Sequence, residues 1–320
     1  VIIGNPPYVE YSKVKNTYTV HGYETESCGN LYAFVVERSL ALLRSTGRFG
    51  MIVPISIACS ERMAPVRKRT LSYCSNVWMS NFAIRPQPLF ADIMQRNTVI
   101  VAQMGKQQHH LLFATNYLRW AAVERDLLFR RLWFAEVSNF LAGGDVIPKV
   151  ATGTEVHILK AMMDKVAARV GQLRSTHTEI LYFHDSGESY WTKALLEKPA
   201  AYRNGIRVEP SQWFAIEMPA EERPFLYLLL NSNLLYWLWT VYTDCRHMTQ
   251  GFIKSLALPF DRTTGLELAQ RLSQAYSENT TLFEKRPGYK SPEIKVQNFK
   301  PLIDEIDRVL AQHYGLTEEL

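Results

Sequence analysis

Residues 30–57, NLYAFVVERSLALLRSTGRFGMIVPISI, hold two patterns in succession, and together they decide the fold class. From Asn30 to Leu43 apolar side chains recur at helical spacing and Gly47 follows as a stop signal, so the segment reads as a helix. Arg48 to Ile57 is a dense apolar run of strand length, the pattern of a strand covered on both faces. Upstream, Val1 to Gly4 is a shorter apolar run closed by a glycine and by prolines that cannot continue a ladder, and it reads as a buried strand. Strand, helix, strand in that order predicts an α/β unit with a parallel sheet.

Working outward, a second helix is expected over Arg62 to Tyr73, with further strands over Asn76 to Ile84 and Asn97 to Met104. The α/β portion is expected to end near Gln108. Beyond it Gly143-Gly144, Pro148, Pro199, Pro210, Pro219 and Pro224 punctuate short segments of mixed character, and Asp304 to Tyr314 closes the chain as an amphipathic helix stopped by Gly315. The expected division is therefore 1–108 and 109–320, the second part an irregular α+β domain. A chain of 320 residues with 47% hydrophobic and 12% aromatic residues has material for two cores. Lys plus Arg exceed Asp plus Glu by 36 − 31 = 5, which permits a polyanionic partner without demonstrating one.

Cys28, Cys59, Cys74 and Cys245 are scattered, with no C-x-x-C pair and no His at ligand spacing, so neither a metal site nor a disulfide framework is expected and a reducing cytoplasm fits. The longest apolar stretch, Phe225 to Val241, is interrupted by Asn231, Ser232 and Asn233, and no basic-then-apolar leader opens the chain. No membrane span is expected.

The chemistry concentrates in Asn5-Pro6-Pro7-Tyr8. A polar loop at the carboxyl edge of a parallel sheet is where open α/β proteins hold ligands. Two prolines make that loop stiff and remove two N–H donors, so its carbonyl oxygens stay available as acceptors. The Asn5 side-chain oxygen and the Pro6 carbonyl can accept both hydrogens of one planar amine, and Tyr8 offers a face for a flat ring. Acceptors arranged for a pyramidal, charge-developing amine stabilise the transition state more than the ground state. As a bare tetrapeptide, the same residues read equally well as a rigid turn.

GNPPY after an apolar strand resembles the catalytic loop of S-adenosylmethionine-dependent N6-adenine DNA methyltransferases. Two further segments agree in order: NLYAFVVERSLALLRSTGRFGMIVPISI resembles the family's next helix and strand, and PLFADIMQRNTVIVAQ (residues 88–103) resembles a later aromatic motif and strand. The resemblance implies a partial Rossmann-like sheet, later strands only. It implies that Asn5 and Pro6, in the stiff frame that Pro7 completes, bind the N6 amine of a flipped adenine, that Tyr8 stacks on the base, and that Phe90 holds its other side. A base taken out of a duplex needs such aromatic faces to replace lost stacking. Leu89-Phe90 also reads as α/β core, and Leu31-Tyr32 reads as helical core before it reads as a cofactor border.

Family members bind S-adenosylmethionine through a glycine-rich turn and an acidic residue on the amino-terminal side of this loop. No Gly-x-Gly occurs in the 320 residues. The cofactor site is thus expected to be incomplete here, and the flank of the Val1 to Gly4 strand is expected to be covered by a missing amino-terminal half or a second copy. The carboxyl-terminal half, with FLYLLLNSNLLYWLW, FIKSLALP and IDEIDRVLAQHYGLTEEL, resembles the target-recognition region of fused restriction-modification methyltransferases, which implies double-stranded DNA as partner and a bacterial or archaeal cytoplasm. Lys13 and Lys15, with Tyr11 and Tyr18, are candidates near the flipped nucleotide; Arg203, Arg207, Arg246 and Lys254 are candidates for phosphate contacts. Lys13 and Lys15 read at least as readily as parts of a solvated loop, and each of the other four taken singly reads more readily as solvated surface charge. Glu293-Ile294-Lys295 matches half of a nuclease signature but is read as a helix-flanking loop. Enzymes that methylate a protein glutamine or ribosomal RNA share NPPY but not the long carboxyl-terminal half, and a noncatalytic DNA-binding module is the alternative of another class.

Overall fold

The structure is a computed structural model that describes the chain except residues 92, 106–109, 141–145, 186–193, 211, 260–261, 263–264 and 317–320; Gly143-Gly144 lies outside the described residues. It divides into a unit of residues 1–156 with 240–244 and a unit of 157–239 with 245–320.

In the first unit the expected strand, helix and strand are present as β1 (Ile2–Gly4), α1 (Leu31–Leu42) and β2 (Arg48–Pro54). Asn30 caps α1, its side chain accepting from the Tyr32 N–H, so one of the unpaired donors of the first turn is satisfied. α1 buries Tyr32, Ala33, Phe34, Val36 and Leu40, and β2 buries Phe49, Met51 and Val53. Each such large apolar side chain contributes about 1.5–3 kcal/mol when fully buried. The run predicted to continue as strand to Ile57 instead turns at Pro54 into a short helix, α2 (Ser56–Cys59), because proline supplies no ladder N–H. α3 (Ala64–Tyr73), β3 (Cys74–Phe82), β4 (Asn97–Met104), β5 (Leu111–Leu118) and β6 (Ala135–Glu136) follow.

The sheet order is β1-β2-β4-β3-β5-β6. β1 with β2 and β3 with β5 are parallel, but β4 runs antiparallel between β2 and β3, so the expected parallel sheet is corrected to a mixed one. The reason lies in the connection: residues 83–96 carry no helix among those described, and a parallel return ordinarily needs a crossover of a dozen or more residues, usually helical. The sheet also runs past Gln108. Leu111–Leu118 pairs along β3, so the α/β unit extends beyond the boundary read from the sequence. Within the sheet, Asn81 is tied by Thr98 Oγ1 at 2.8 Å and by the Thr115 carbonyl at 3.0 Å, so this fully buried amide is hydrogen-bonded as a dry interior demands.

The second unit combines short strands with helices. α4 (Gly153–Asp164) is followed by β7 (Val166–Arg169), β8 (Thr178–His184), β9 (Ala194–Leu195), β10 (Ala201–Arg203), β11 (Ile206–Val208) and β12 (Trp213–Pro219). Next come α5 (Arg223–Leu230), α6 (Asn233–Tyr242), α7 (Gln250–Ser255), β13 (Ala257–Pro259), α8 (Leu266–Glu278), β14 (Thr280–Arg286), β15 (Tyr289–Ile294) and α9 (Lys300–His313). The strands form sheets of order β11-β10-β15-β14, β12-β8-β9 and β13-β7. α5 packs on α8 and α9, with Leu226, Leu229, Leu272, Ile303, Ile306 and Leu310 buried. The polar break in the long apolar stretch is itself interior: Asn231 is fully buried and bonds Ala194 N, Ala194 O and the Tyr227 carbonyl. Glu293-Ile294, expected in a loop, ends strand β15 instead. No helix among the described residues is long and apolar enough to cross a membrane.

Candidate active site

Asn5-Pro6-Pro7-Tyr8 leaves the carboxyl end of β1, on the side to which parallel β2 also runs. Pro6 is buried, Asn5 and Pro7 are exposed, and Tyr8 is half-buried. The Tyr8 hydroxyl lies 2.7 Å from Asn5 Oδ1 and 2.9 Å from the Ile52 carbonyl oxygen, so its single proton is shared between two acceptors. Burial pushes the Tyr8 phenol up to about 12, which keeps it a neutral donor throughout the neutral range. Its ring meets the Tyr32 ring at 6.4 Å and 86°. Tyr32 is buried on α1, its hydroxyl is 3.0 Å from Ser56 Oγ, and burial raises its pKa as well.

The Asn5 oxygen is thus aimed by Tyr8. A carbonyl oxygen has two lone pairs, so after accepting from Tyr8 it retains one for an incoming N–H. Spacing alone gave Tyr8 a role as a ring face; the structure adds the hydroxyl, which fixes the loop against β2.

Phe90 is half-buried and packs against a cluster of Phe82, Leu89, Trp120 and Leu128, with Ile52, Val99, Leu118 and Leu132 around it. Ile52 therefore serves both aromatic candidates, its side chain on the Phe90 cluster and its carbonyl on the Tyr8 hydroxyl. Arg125, in the 3₁₀ segment Ala122–Arg131, lies 5.6 Å from the Trp120 ring centroid and reaches the Leu89 carbonyl at 3.3 Å with both terminal nitrogens. Sequence reasoning missed Trp120 and Arg125, which stand in no motif, and gave Ile52 no role beyond its strand; each takes its place only through the sheet.

The stretch from Val9 to Gly29 is anchored at several points. Tyr11 packs on Phe34 at 5.4 Å and its hydroxyl accepts from the Val20 N–H, so its ring belongs to the fold. Buried Glu37 accepts from the Glu24 N–H, the Thr25 N–H and the Thr25 hydroxyl. Glu10 is paired with Arg62 at 2.8 Å, and that hydrogen bond holds its carboxyl below the usual range. Lys13, Lys15 and Tyr18 are exposed on this segment.

In the second unit Arg203 and Arg207 lie on the β10–β11 hairpin, Arg246 follows Cys245, and Lys254 is on α7; all four are exposed. Trp239 is fully buried. Among the described residues no group of His, Cys, Asp and Glu is arranged to hold a metal ion.

Residues 1–86 match the model of the Eco57I restriction-modification methylase family. No curated protein matches the chain. Among solved structures, the chain is similar to the Type IIL restriction-modification enzyme MmeI in complex with DNA, at 11% identity over 98% of this chain and 54% of that one, with a TM-score of 0.44. It is similar to a nuclease-deletion mutant of the Type ISP enzyme LlaGI in complex with a DNA substrate mimic, at 12% identity over 88% and 42%, with a TM-score of 0.44. A third is the ATP-dependent Type ISP enzyme LlaBIII bound to DNA, at 13% identity over 89% and 30%, with a TM-score of 0.41. The chain spans between 30% and 54% of the length of these three.

Proposed function

We propose that the chain is the amine-binding and target-recognition portion of a restriction-modification methyltransferase acting on the N6 amine of adenine in double-stranded DNA. The observation that carries this reading is the Asn5–Tyr8 loop at the carboxyl end of β1, with Asn5 Oδ1 held 2.7 Å from the Tyr8 hydroxyl, inside the segment that matches the methylase family. Asn5 Oδ1 and the Pro6 carbonyl accept the two amine hydrogens of an extrahelical adenine. As those bonds shorten, the nitrogen lone pair leaves conjugation with the ring and becomes nucleophilic, without a strong base. Tyr8 and Phe90 provide the aromatic surface that replaces stacking lost on base extrusion. Lys13, Lys15, Arg203, Arg207, Arg246 and Lys254 are the proposed DNA contacts.

S-adenosylmethionine is the methyl donor of this reaction class. The residues present do not fit it alone: the 320 residues contain no Gly-x-Gly turn to cradle it. The outer edge of β1 has no partner strand among the described residues, and Val1 and Ile3 are 86% and 80% exposed. A further polypeptide, either the cofactor-binding segment or a second copy, covers that edge and makes the site competent. The same missing cradle favours one other reading, a noncatalytic DNA-binding specificity module.

The two readings separate on Asn5→Ala. In the enzyme supplied with its cofactor-binding segment, the substitution should lower single-turnover methylation of duplex DNA by at least tenfold while leaving the Kd for DNA within twofold. Equal losses in rate and affinity would remove Asn5 from the transition state. Absence of any methyl transfer in the wild type would leave the module.

A further inference from the structure

The sheet β11-β10-β15-β14 consists of two hairpins whose closing turns lie side by side. Asn204-Gly205 joins β10 to β11, and Pro287-Gly288 joins β14 to β15. β10 pairs with β15, with Arg203 opposite Tyr289, so the turns are neighbours and the Asn204 N–H donates to the Gly288 carbonyl at 2.7 Å. Asn204 and Gly205 have φ of 50° and 80°, the left-handed pair that an Asn-Gly hairpin turn requires. Gly288 has φ of 72°, and a Cβ there would lie 2.2 Å from Asn204 Oδ1. The left-handed backbone at Gly288 favours glycine, and the Asn204 N–H bond to its carbonyl ties the two turns into one head.

This head is crowded with positive charge. Arg203, Arg207, Lys285, Arg286 and Lys290 are all exposed, and none forms an ion pair among the described residues. Glu284, which faces Lys290 across the β14–β15 pair and accepts the Gly288 N–H at 2.8 Å, offsets one of these five charges and leaves the head with a net positive charge. The guanidinium carbons of Arg203 and Arg286 sit 6.0 and 5.1 Å from the centroid of the same ring, Tyr289. Stacking of that kind orients the planar donors instead of leaving them to sweep through solvent. The strand register puts Arg203, Arg286 and Tyr289 on one face and Tyr202, Arg207 and Lys290 on the other.

Like charges held this close repel one another, and a polyanion is the partner that relieves the repulsion. The one side-chain amide at the tip, Asn204, has its oxygen packed on Gly288, and the groups that remain are cations, which phosphate oxygens complement in any sequence. We propose that the paired hairpin tips form a sequence-independent clamp on the sugar-phosphate backbone of double-stranded DNA. The inference rests on the target-recognition reading of the second half of the chain, and it assigns backbone contact to Lys285, Arg286 and Lys290, held in place by Tyr289, as well as to Arg203 and Arg207.

The test is fluorescence anisotropy of the 320-residue chain with labelled 30-base-pair duplexes of two unrelated sequences, titrated from 50 to 200 mM KCl. The double variant Arg203→Ala/Arg286→Ala should reduce the slope of log K against log salt by about 2, making the loss of affinity over that range about tenfold smaller, equally for both duplexes. Arg203→Lys/Arg286→Lys should keep the slope. Lys285→Ala/Lys290→Ala, at exposed positions whose loss leaves the turns intact, should repeat the reduction. An unchanged slope in both alanine pairs, a loss confined to one duplex, or a wild type that does not bind duplex DNA overturns the clamp. Failure of the clamp is distinguishable from failure of the catalytic reading when methylation is measured in the enzyme supplied with its cofactor-binding segment: unchanged slopes with methyl transfer there overturn the clamp alone, and reduced slopes with no methyl transfer there overturn the catalysis alone.

Discussion

Tyr8→Phe isolates the hydroxyl from the ring. In the structure that hydroxyl links the Asn5 side chain, exposed at the tip of the loop, to the Ile52 carbonyl on β2, with donor distances of 2.7 and 2.9 Å. Removing it leaves Asn5 Oδ1 free to hydrate and the partly buried Ile52 carbonyl short of a donor, a net cost of about 1 kcal/mol. The same loss of aim acts on turnover. An Asn5 carboxamide that can rotate presents its NH₂ to the incoming amine part of the time, and about 1 kcal/mol in the transition state corresponds to a rate roughly fivefold lower. The ring stays, so binding of DNA carrying an extrahelical adenine should be unchanged, whereas Tyr8→Ala should also lose stacking of about 1–3 kcal/mol. The assay pairs single-turnover methylation with urea unfolding and a DNA-binding titration. Wild-type rate and stability in Tyr8→Phe, or a DNA affinity as poor as that of Tyr8→Ala, would refute the assignment of the hydroxyl as the element that aims Asn5.

Other substitutions test neighbouring parts of the argument. Glu37→Gln removes the charge that receives the Glu24 N–H, the Thr25 N–H and the Thr25 hydroxyl, and should cost about 2 kcal/mol and speed tryptic cleavage at Lys13 and Lys15. Lys149→Met removes the buried ammonium that donates to the Val241 and Thr243 carbonyls at 2.8 and 2.7 Å while keeping the Lys149 N–H bond to the Val241 carbonyl, and should destabilise the first unit by about 2 kcal/mol in urea. Gly288→Ala should lower thermal stability by about 1–2 kcal/mol, because alanine is disfavoured at this left-handed φ and its Cβ must push the Asn204 side chain aside, and Asn204→Gly in the same chain should recover the second part alone, a non-additivity that thermal unfolding measures. Because burial raises Tyr8 to about 12 from an ordinary value near 10, its contribution to stability is complete below pH 10 and is lost as pH rises from there to 12. Tyr8→Phe should flatten the stability-versus-pH curve within that window and nowhere below it.

What the sequence disclosed follows from the range over which its signals act. The α1 helix and the start of β2 were legible because apolar spacing and Gly47 act within a turn or two of chain. The place of β4 was not. The pattern of Asn97–Met104 marks a strand but carries nothing of its partners, and only the helix-free connection at 83–96 turns it antiparallel between β2 and β3. β14 left no period to read, since every residue from Thr280 to Arg286 is exposed and no alternation separates a dry face from a wet one. Its neighbour is open to reading: Asn204-Gly205 between two short runs is the strongest local hairpin signal, although Arg203 and Arg207 read first as charges and only second as flanks of a turn. At the candidate site the division is the same. Asn5, Pro6, Pro7 and Tyr8 are legible because their chemistry is contiguous, while the hydroxyl that aims Asn5 is itself anchored on the Ile52 carbonyl, 44 residues away from Tyr8. A contact of that reach is created by the parallel pairing of β1 with β2, so it exists only once the sheet does.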